Sequence, residues 1–417
     1  MAMISRFVTL VLSLHKNARM TVVPFFRGRP VRLAVALLFG LPLLFALAVG
    51  ATSTGRSYLR GAAFVVQASG MQGLARTMAG WDTTPVTQMG VRPIPWRGGT
   101  LRSRAYQPYR ESGRGVLLVP GVHAAGIDEP RLVGFARDIA AMGHPVLTVE
   151  LPDLARYEIT TRTTDMIEDA AAWMMRRPEF HGRDGRIGMV GISFGGGLSI
   201  VASARPAITN GVAFVMAFGG HADLPRTLTY LCTGVQPDGA VRPPHDYGTA
   251  IVLLGAADRV VPAAQVQPLR DAILSYLEAS RLDMVDKPKA ALEFARATRL
   301  ADVLDEPART FMHYVNARDV AHLGPVLLPH VAGLGGDPAL SPARSPFPRV
   351  PVYLLHGTDD NVVPAIESTL LARDLAAHHV PVHVLLTPLI THAEVDRAST
   401  MSAVWRLIDF WSKLLHE

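Results

Sequence analysis

One serine of the sequence has neighbours suited to nucleophilic catalysis. Ser193 lies between Gly191 and Gly195, in a Gly-x-Ser-x-Gly pattern that follows an apolar run and precedes small residues. A strand that turns sharply into a helix strains the residue at the turn, and glycine two positions to either side leaves room for it. The N-terminus of the next helix would direct free N–H groups at a developing oxyanion. The pattern predicts a nucleophile; a Gly-rich turn with a capping serine is the structural alternative.

A serine hydroxyl needs a general base and an acid that orients the base, and the C-terminal part of the chain contains both. Asp359 and Asp360 follow one apolar run, and His392 follows the next. Because ligands bind at the carboxyl ends of parallel strands, we expect both loops beside Ser193. The order Ser, Asp, His is typical of enzymes with a nucleophile elbow. These residues predict acyl transfer through an acyl-enzyme, in which water finally releases the acid.

Three aspartates compete for the acidic position. Asp359 and Asp360 lie within Gly357–Pro364, and almost the same letters recur around Asp258. The chain runs 134 residues from Asp258 to His392 but 32 from Asp360 to His392, which suits one helix and one strand. We therefore expect Asp360 to be the acid. Asp359 and Asp258 remain alternatives, and Asp258 is otherwise expected to cap a helix.

The segments around these residues alternate as in a parallel sheet. Short apolar runs separated by helical patterns are typical of βαβ units with helices on both faces. The sequence predicts an antiparallel hairpin at 90–106 and strands at 116–119, 145–149, 187–190, 212–218, 352–355 and 382–386. It predicts helices at 130–142, 164–177, 195–204, 365–378 and 402–415. We expect an α/β core formed by 87–220 and 346–417, interrupted by a helical insertion at 221–345.

With these motifs, the chain resembles the α/β-hydrolase superfamily from about residue 87 to 417. The resemblance implies a serine hydrolase of the esterase or lipase type, and its Gly-x-x-Asp-x-x-Val-Pro pattern selects Asp360. The family's oxyanion hole uses the N–H after the nucleophile, here that of Phe194. A second N–H comes from the loop after the third strand, where Val122 matches although Pro120–Gly121 replaces the usual His-Gly. The insertion stands where this family carries lids and substrate pockets.

Other residues are expected around the pocket. His123 follows the oxyanion loop, His221 follows a predicted strand, and Asp359 adjoins the acid, so all three are candidates for supporting roles. The insertion contains apolar runs at 250–257 and 320–334. These runs suggest a small-molecule, ester-like substrate with an apolar acyl or alkyl group.

Composition excludes other classes of protein. The chain has 417 residues, of which 49% are hydrophobic and 18% charged, so it can bury a core. Its one cysteine, Cys232, excludes an intrachain disulfide and a Cys-rich zinc site. The proposed chemistry requires no cofactor and no metal ion. The net charge of +6 comes from six basic residues before position 33, since the remaining basic residues equal the 35 acidic ones in number. Nothing therefore favours nucleic-acid binding.

The N-terminus has the pattern of a membrane segment. Residues 1–32 are basic, and 33–50 are almost entirely apolar and long enough to cross the hydrocarbon. The positive-inside rule then predicts a cytoplasmic N-terminus, with a juxtamembrane linker at 51–86 and the catalytic domain on the outer, periplasmic or extracellular side. A cleaved signal peptide, which would make the protein secreted, and a buried core helix are the alternatives. We expect a single-pass membrane protein.

Two other functions fit the same residues. An acyltransferase would use the same triad with an alcohol in place of water. A non-catalytic, membrane-tethered binding module would keep the fold alone, but it has no physical need for a complete Ser, Asp and His set. The oligomeric state is not encoded in any of these patterns.

Overall fold

The computed structural model describes residues 52–283, 285–391, 394–395 and 401–417. The fold below is that of the compact unit Ser57–Glu417. Two sequence predictions, the apolar segment 33–50 and the base His392, lie outside the described residues.

Strands and helices alternate along the described residues. The strands are β1 Val86–Gln88, β2 Arg92–Trp96, β3 Gly99–Pro108, β4 Val116–Val119, β5 Val146–Val149, β6 Ile187–Ile192, β7 Val212–Phe218, β8 Val352–Gly357, β9 Val382–Thr387, β10 Ile390–Thr391 and β11 Glu394–Val395. The α-helices are α1 Ser53–Ala68, α2 Leu74–Ala79, α3 Pro130–Ala141, α4 Pro152–Ala155, α5 Thr161–Met175, α6 Phe194–Ser203, α7 Leu224–Thr233, α8 Gly248–Val260, α9 Ala263–Asp283, α10 Lys287–Asp302, α11 Ala308–Ala317, α12 Val320–Leu327, α13 Val331–Gly335, α14 Ile366–Ala377 and α15 Met401–Leu414. The strands and core helices predicted from the sequence are confirmed, and their ends differ from the predicted ones by at most three residues.

The main sheet is mixed but mostly parallel. Its strand order is β1-β3-β5-β4-β6-β7-β8-β9, and β2 also pairs with β3. The pairs β1–β3, β2–β3 and β3–β5 are antiparallel, which confirms the predicted hairpin. Every pair from β5 through β9 is parallel. The carboxyl ends of β4, β6, β7, β8 and β9 therefore meet at one edge of the sheet.

Both faces of the sheet are covered because successive side chains of a strand point to opposite faces. In β4, Leu117 and Val119 pack in one buried cluster, while Val116 and Leu118 pack in the other. Helices α5 and α6 cover the first face, and α1, α3 and α15 cover the second. Such two-sided burial explains why the strands read as continuous apolar runs.

Helices α7 to α13 occupy the stretch between β7 and β8 and share the first of these cores. Leu231 of α7, Leu254 of α8 and Leu277 of α9 belong to the same buried cluster as the sheet residue Leu117. Most side chains of the apolar run at 250–257 are therefore buried in the packing of these helices.

The predicted single-pass membrane topology is corrected. No helix within residues 52–283, 285–391 and 401–417 is both long and apolar enough to cross a bilayer. The longest of them, α9, has 21 residues, but charged side chains such as Arg270, Asp271 and Glu278 interrupt it. The segment 33–50 lies outside the described residues. The transmembrane anchor, the outer location of the domain and the membrane as a partner are therefore not retained.

Candidate active site

Ser193 occupies a sharp turn between β6 and α6. Its φ of 52° and ψ of −131° are strained for a residue other than glycine. The flanking glycines are required by close contacts: a Cβ at Gly191 would stand 2.4 Å from the carbonyl oxygen of Gly195, and one at Gly195 would stand 2.1 Å from that of Pro120. The turn is thus closed by backbone on both sides and presents Ser193 at the carboxyl edge of the sheet.

The loop after β4 lies directly against this turn. A Cβ at Gly121 would stand 3.1 Å from the Cβ of Ser193. Val122, next in the loop, is partly buried against the core. Phe194 is the first residue of α6, and the N–H groups of a first helical turn have no partner inside the helix. The two candidate oxyanion donors therefore belong to the loop and the helix that adjoin Ser193.

Asp360 is held in the loop after β8 by its own neighbours. Its side chain is 4% exposed, and Oδ1 accepts hydrogen bonds from the N–H groups of Val362 at 2.8 Å and Val363 at 3.0 Å. Its Oδ2 lies 3.4 Å from Nε2 of His356, which is fully buried. That Nε2 also donates to the Val363 carbonyl at 2.8 Å, so it carries the proton. Asp360 is thus a buried carboxylate whose orientation follows the backbone of its loop.

The end of β7 connects Asp360 with the nucleophile turn. The N–H of Ser193 donates to the carbonyl of Phe218 at 2.7 Å. A Cβ at the next residue, Gly219, would stand 3.4 Å from Oδ2 of Asp360. Ser193 and Asp360 therefore flank the same two residues, although 167 positions separate them in the sequence.

The two alternative aspartates are placed differently. The side chain of Asp359 is 65% exposed and pairs with Arg242 at 3.2 Å. Asp258 is exposed within the last turns of α8, so the repeated motif is helical here and does not form a strand and loop. Neither carboxylate has the buried, backbone-bonded environment of Asp360.

The predicted base lies outside the described residues, but the strand before it is well placed. Gly357 at the end of β8 pairs with Thr387 at the end of β9. The N–H of Thr358 donates to the carbonyl of Thr387 at 3.1 Å. The loop that carries His392 thus begins beside the loop that carries Asp360. The role of His392 remains a prediction.

The two histidines expected near the pocket differ in their surroundings. His123 is partly buried, its Nδ1 accepts from the N–H of Ala125 at 3.2 Å, and burial lowers the pKa of its ring. His221 is fully buried, and its Nε2 donates to the carbonyl of Leu340 at 2.7 Å. Its ring centroid lies 5.4 Å from that of Phe194, and burial lowers its pKa. His221 is therefore a neutral packing partner of the residue after the nucleophile.

Two tyrosines beside the site were missed by sequence reasoning. Burial, then the charge of Asp360, raises the pKa of Tyr247, which lies at the start of α8. Tyr157 has a φ of 63°, and the N–H of Ala124, in the loop after β4, acts to lower the pKa of its hydroxyl. Burial, then the charge of Glu278, raises the pKa of Tyr157 to about 12. Neither tyrosine lies in a motif, so no spacing pattern indicated either one.

Metal-ligating side chains are not clustered in the part of the chain that the structure describes. Within it, no three His, Cys, Asp or Glu residues are grouped as a metal ion would require. The expectation that the chemistry uses no metal and no cofactor stays a prediction.

Comparisons with known proteins find solved structures of low sequence identity. No protein-family model matches the chain, and no curated protein matches it either. A Pyrobaculum calidifontis esterase is 15% identical, with a TM-score of 0.42 and coverage of 95% of this chain and 96% of that one. A thermostable esterase from Pseudomonas putida ECU1011 is 14% identical, with a TM-score of 0.44 and coverage of 85% and 87%. A Pyrococcus horikoshii acylaminoacyl peptidase is 13% identical, with a TM-score of 0.40 and coverage of 80% of this chain and 41% of that one.

The architecture is the α/β-hydrolase fold that the motifs predicted. The mostly parallel sheet, the helices on both faces and the strand-turn-helix at Ser193 define it.

Proposed function

We propose that this protein is a serine hydrolase that cleaves an ester through an acyl-enzyme on Ser193. The observation that carries the proposal is the conformation of Ser193, a non-glycine residue with a φ of 52° between a buried strand and a helix N-terminus. Strain of this kind persists only where the surroundings impose it, and it is concentrated at functional sites. A turn that merely connected two elements would not need it.

The proposed reaction has two steps. In the first, His392 takes the proton of the Ser193 hydroxyl while the oxygen attacks the ester carbonyl, and the N–H groups of Phe194 and Val122 stabilise the oxyanion. The alcohol then leaves with the proton from His392. In the second, water gives a proton to His392 and attacks the acyl group, and Ser193 regains its proton as the acid leaves. Asp360 orients the imidazole and stabilises its charged form.

We further propose a small-molecule ester as the substrate. Val122 and Tyr157, which lie beside the nucleophile loop, are partly buried against the apolar core. A panel of p-nitrophenyl esters from acetate to palmitate tests the apolar acyl group expected from the sequence. kcat/KM should rise with chain length, and a fall would reject that preference.

A fluorophosphonate probe tests the nucleophile directly. The wild-type chain should be labelled on Ser193, and Ser193→Ala should be unlabelled and lose ester hydrolysis. Ser112→Ala is the matched control, because Ser112 is exposed and precedes β4, at the opposite edge of the sheet. It should be labelled like the wild type.

Two results would reject the proposal. A wild-type chain that remains unlabelled and inactive would support a non-catalytic hydrolase fold. A folded Ser193→Ala variant that hydrolyses p-nitrophenyl esters at the wild-type rate would exclude Ser193 as the nucleophile. An acyltransferase would differ in its acceptor, since an added alcohol would divert the acyl group from water.

A further inference from the structure

A segment of the helical insertion crosses the loop that carries Asp360. The segment is residues 234–247, here called the strap, and it begins as a small hairpin after α7. Val235 pairs with Val241 in antiparallel fashion, and the N–H of Arg242 donates to the carbonyl of Gly234 at 2.8 Å. Arg242 therefore stands at the base of a hydrogen-bonded hairpin, and its position does not depend on its side chain alone.

The strap is bonded to the acid loop, residues 358–361, on both sides of Asp360. On the near side, Arg242 donates to the carbonyl of Thr358 at 3.4 Å and to Oδ1 of Asp359 at 3.2 Å. On the far side, the N–H of His245 donates to the carbonyl of Asn361 at 2.8 Å. The loop backbone is thus bonded to the strap two residues before Asp360 and one residue after it.

We propose that Arg242 is a positioning residue for Asp360, through which the insertion holds the acid loop in its active geometry. The inference rests on the proposed function, since it requires Asp360 to act as the acid. Asp360 is bonded through Oδ1 to N–H groups of its own loop, so a movement of the loop backbone moves the carboxylate. Arg242 also neutralises Asp359, which would otherwise place a second negative charge next to the acid.

Tyr230 of α7 lies near the charges of both Arg242 and Asp360. Its hydroxyl donates to the carbonyl of Asn361 at 3.4 Å. Burial raises the pKa of Tyr230 to about 12, Arg242 acts to lower that pKa and Asp360 acts to raise it. The guanidinium and the catalytic carboxylate therefore share one electrostatic neighbourhood.

The exposure of the pair separates a positioning role from a structural one. The side chains of Arg242 and Asp359 are 37% and 65% exposed. Exposed ion pairs contribute little to stability. Removing Arg242 should therefore leave the melting temperature within about 2 °C of the wild type, while misplacement of a catalytic group by even about 1 Å lowers the rate strongly.

The test compares R242Q, R242K and D359N with R299Q in ester hydrolysis. Arg299 is an exposed arginine of α10 in the same insertion, for which the described residues offer no ion pair, so R299Q controls for the loss of charge. R242Q should lower kcat by about tenfold and leave KM within about twofold. R242K should recover part of this loss, and R299Q should behave as the wild type.

The pH profile supplies a readout that a structural contact would not move. The acidic limb of kcat/KM reports the catalytic base, whose charged form is favoured when a neighbouring positive charge is removed. R242Q should shift that limb upwards by about 0.3 unit, and D359N should shift it downwards by about as much. The double variant should return towards the wild-type limb and should lose no more kcat than R242Q alone.

The inference is overturned if R242Q keeps the wild-type kcat and pH profile, or if R299Q loses as much. It is also overturned if R242Q unfolds and D359N leaves the pH profile unchanged. Probe labelling of the wild-type chain distinguishes a failure of the proposed function from a failure of the role proposed for Arg242. Labelling of Ser193 together with a fully active R242Q rejects only the role of Arg242, whereas an unlabelled wild type rejects both.

Discussion

A single methyl group at Gly195 should disable the oxyanion loop. A Cβ there would stand 2.1 Å from the carbonyl oxygen of Pro120, where ordinary contact begins at 3.4 Å. The loop or the start of α6 must therefore move by about 1.3 Å. The obstacle is backbone, so no side-chain rotation can relieve it. Val122 lies two residues beyond Pro120, and the displacement should carry its N–H away from the oxyanion.

The expected loss in Gly195→Ala is about 100-fold in kcat/KM, the scale associated with a misplacement of about 1 Å. Overpacking should also lower the free energy of unfolding by about 1–3 kcal/mol. Hydrolysis of p-nitrophenyl acetate measures the first quantity, and urea unfolding followed by circular dichroism measures the second. The matched control is Gly134→Ala in α3, where a Cβ would meet no atom within 4 Å. Alanine there should stabilise the protein by about 0.5–1 kcal/mol and leave kcat unchanged.

A folded Gly195→Ala variant with the wild-type kcat/KM would refute the reasoning. It would mean that the loop after β4 can shift by more than an ångström without affecting the transition state. Val122 would then not be an oxyanion donor.

The remaining predictions concern the triad and one buried histidine. Asp360→Asn should lower kcat by about 10⁴-fold, because an amide would present a donor where the imidazole needs an acceptor. Asp258→Asn should change kcat by less than about tenfold. Equal losses in the two variants would contradict the assignment of Asp360 as the acid. Adding His392→Ala to Ser193→Ala should cost little more than Ser193→Ala alone, because nucleophile and base act as a unit, and additive losses would argue against it. Burial lowers the pKa of His144 to about 4, so the unfolded chain takes up a proton between pH 6.5 and 4 while the folded chain does not. This group alone should make the free energy of unfolding about 2 kcal/mol lower at pH 5 than at pH 7. In urea titrations, His144→Asn should lose this pH dependence. An unchanged dependence of the free energy of unfolding on pH would contradict the prediction.

Much of the fold could be predicted from local patterns. The buried parallel strands appear as apolar runs because both of their faces are covered, and the turn at Ser193 appears as Gly-x-Ser-x-Gly because only glycine tolerates the contacts at Gly191 and Gly195. The local pattern left Asp258 either as an alternative acid or as a helix cap, and the structure places it inside helix α8. A short apolar run is compatible with either a strand or a helix, and packing within the insertion favours the helix here.

The sequence by itself determined the kinds of group available for catalysis and their order along the chain, because spacing encodes the backbone conformation of a few residues at a time. Only the tertiary structure decided which aspartate is buried. Asp359 and Asp360 are adjacent and chemically identical, yet one is exposed beside Arg242 and the other is bonded within its loop. Arg242 lies 117 residues from Asp359 in the sequence. Burial and charge pairing depend on such distant partners, so they are set only when the insertion packs on the sheet.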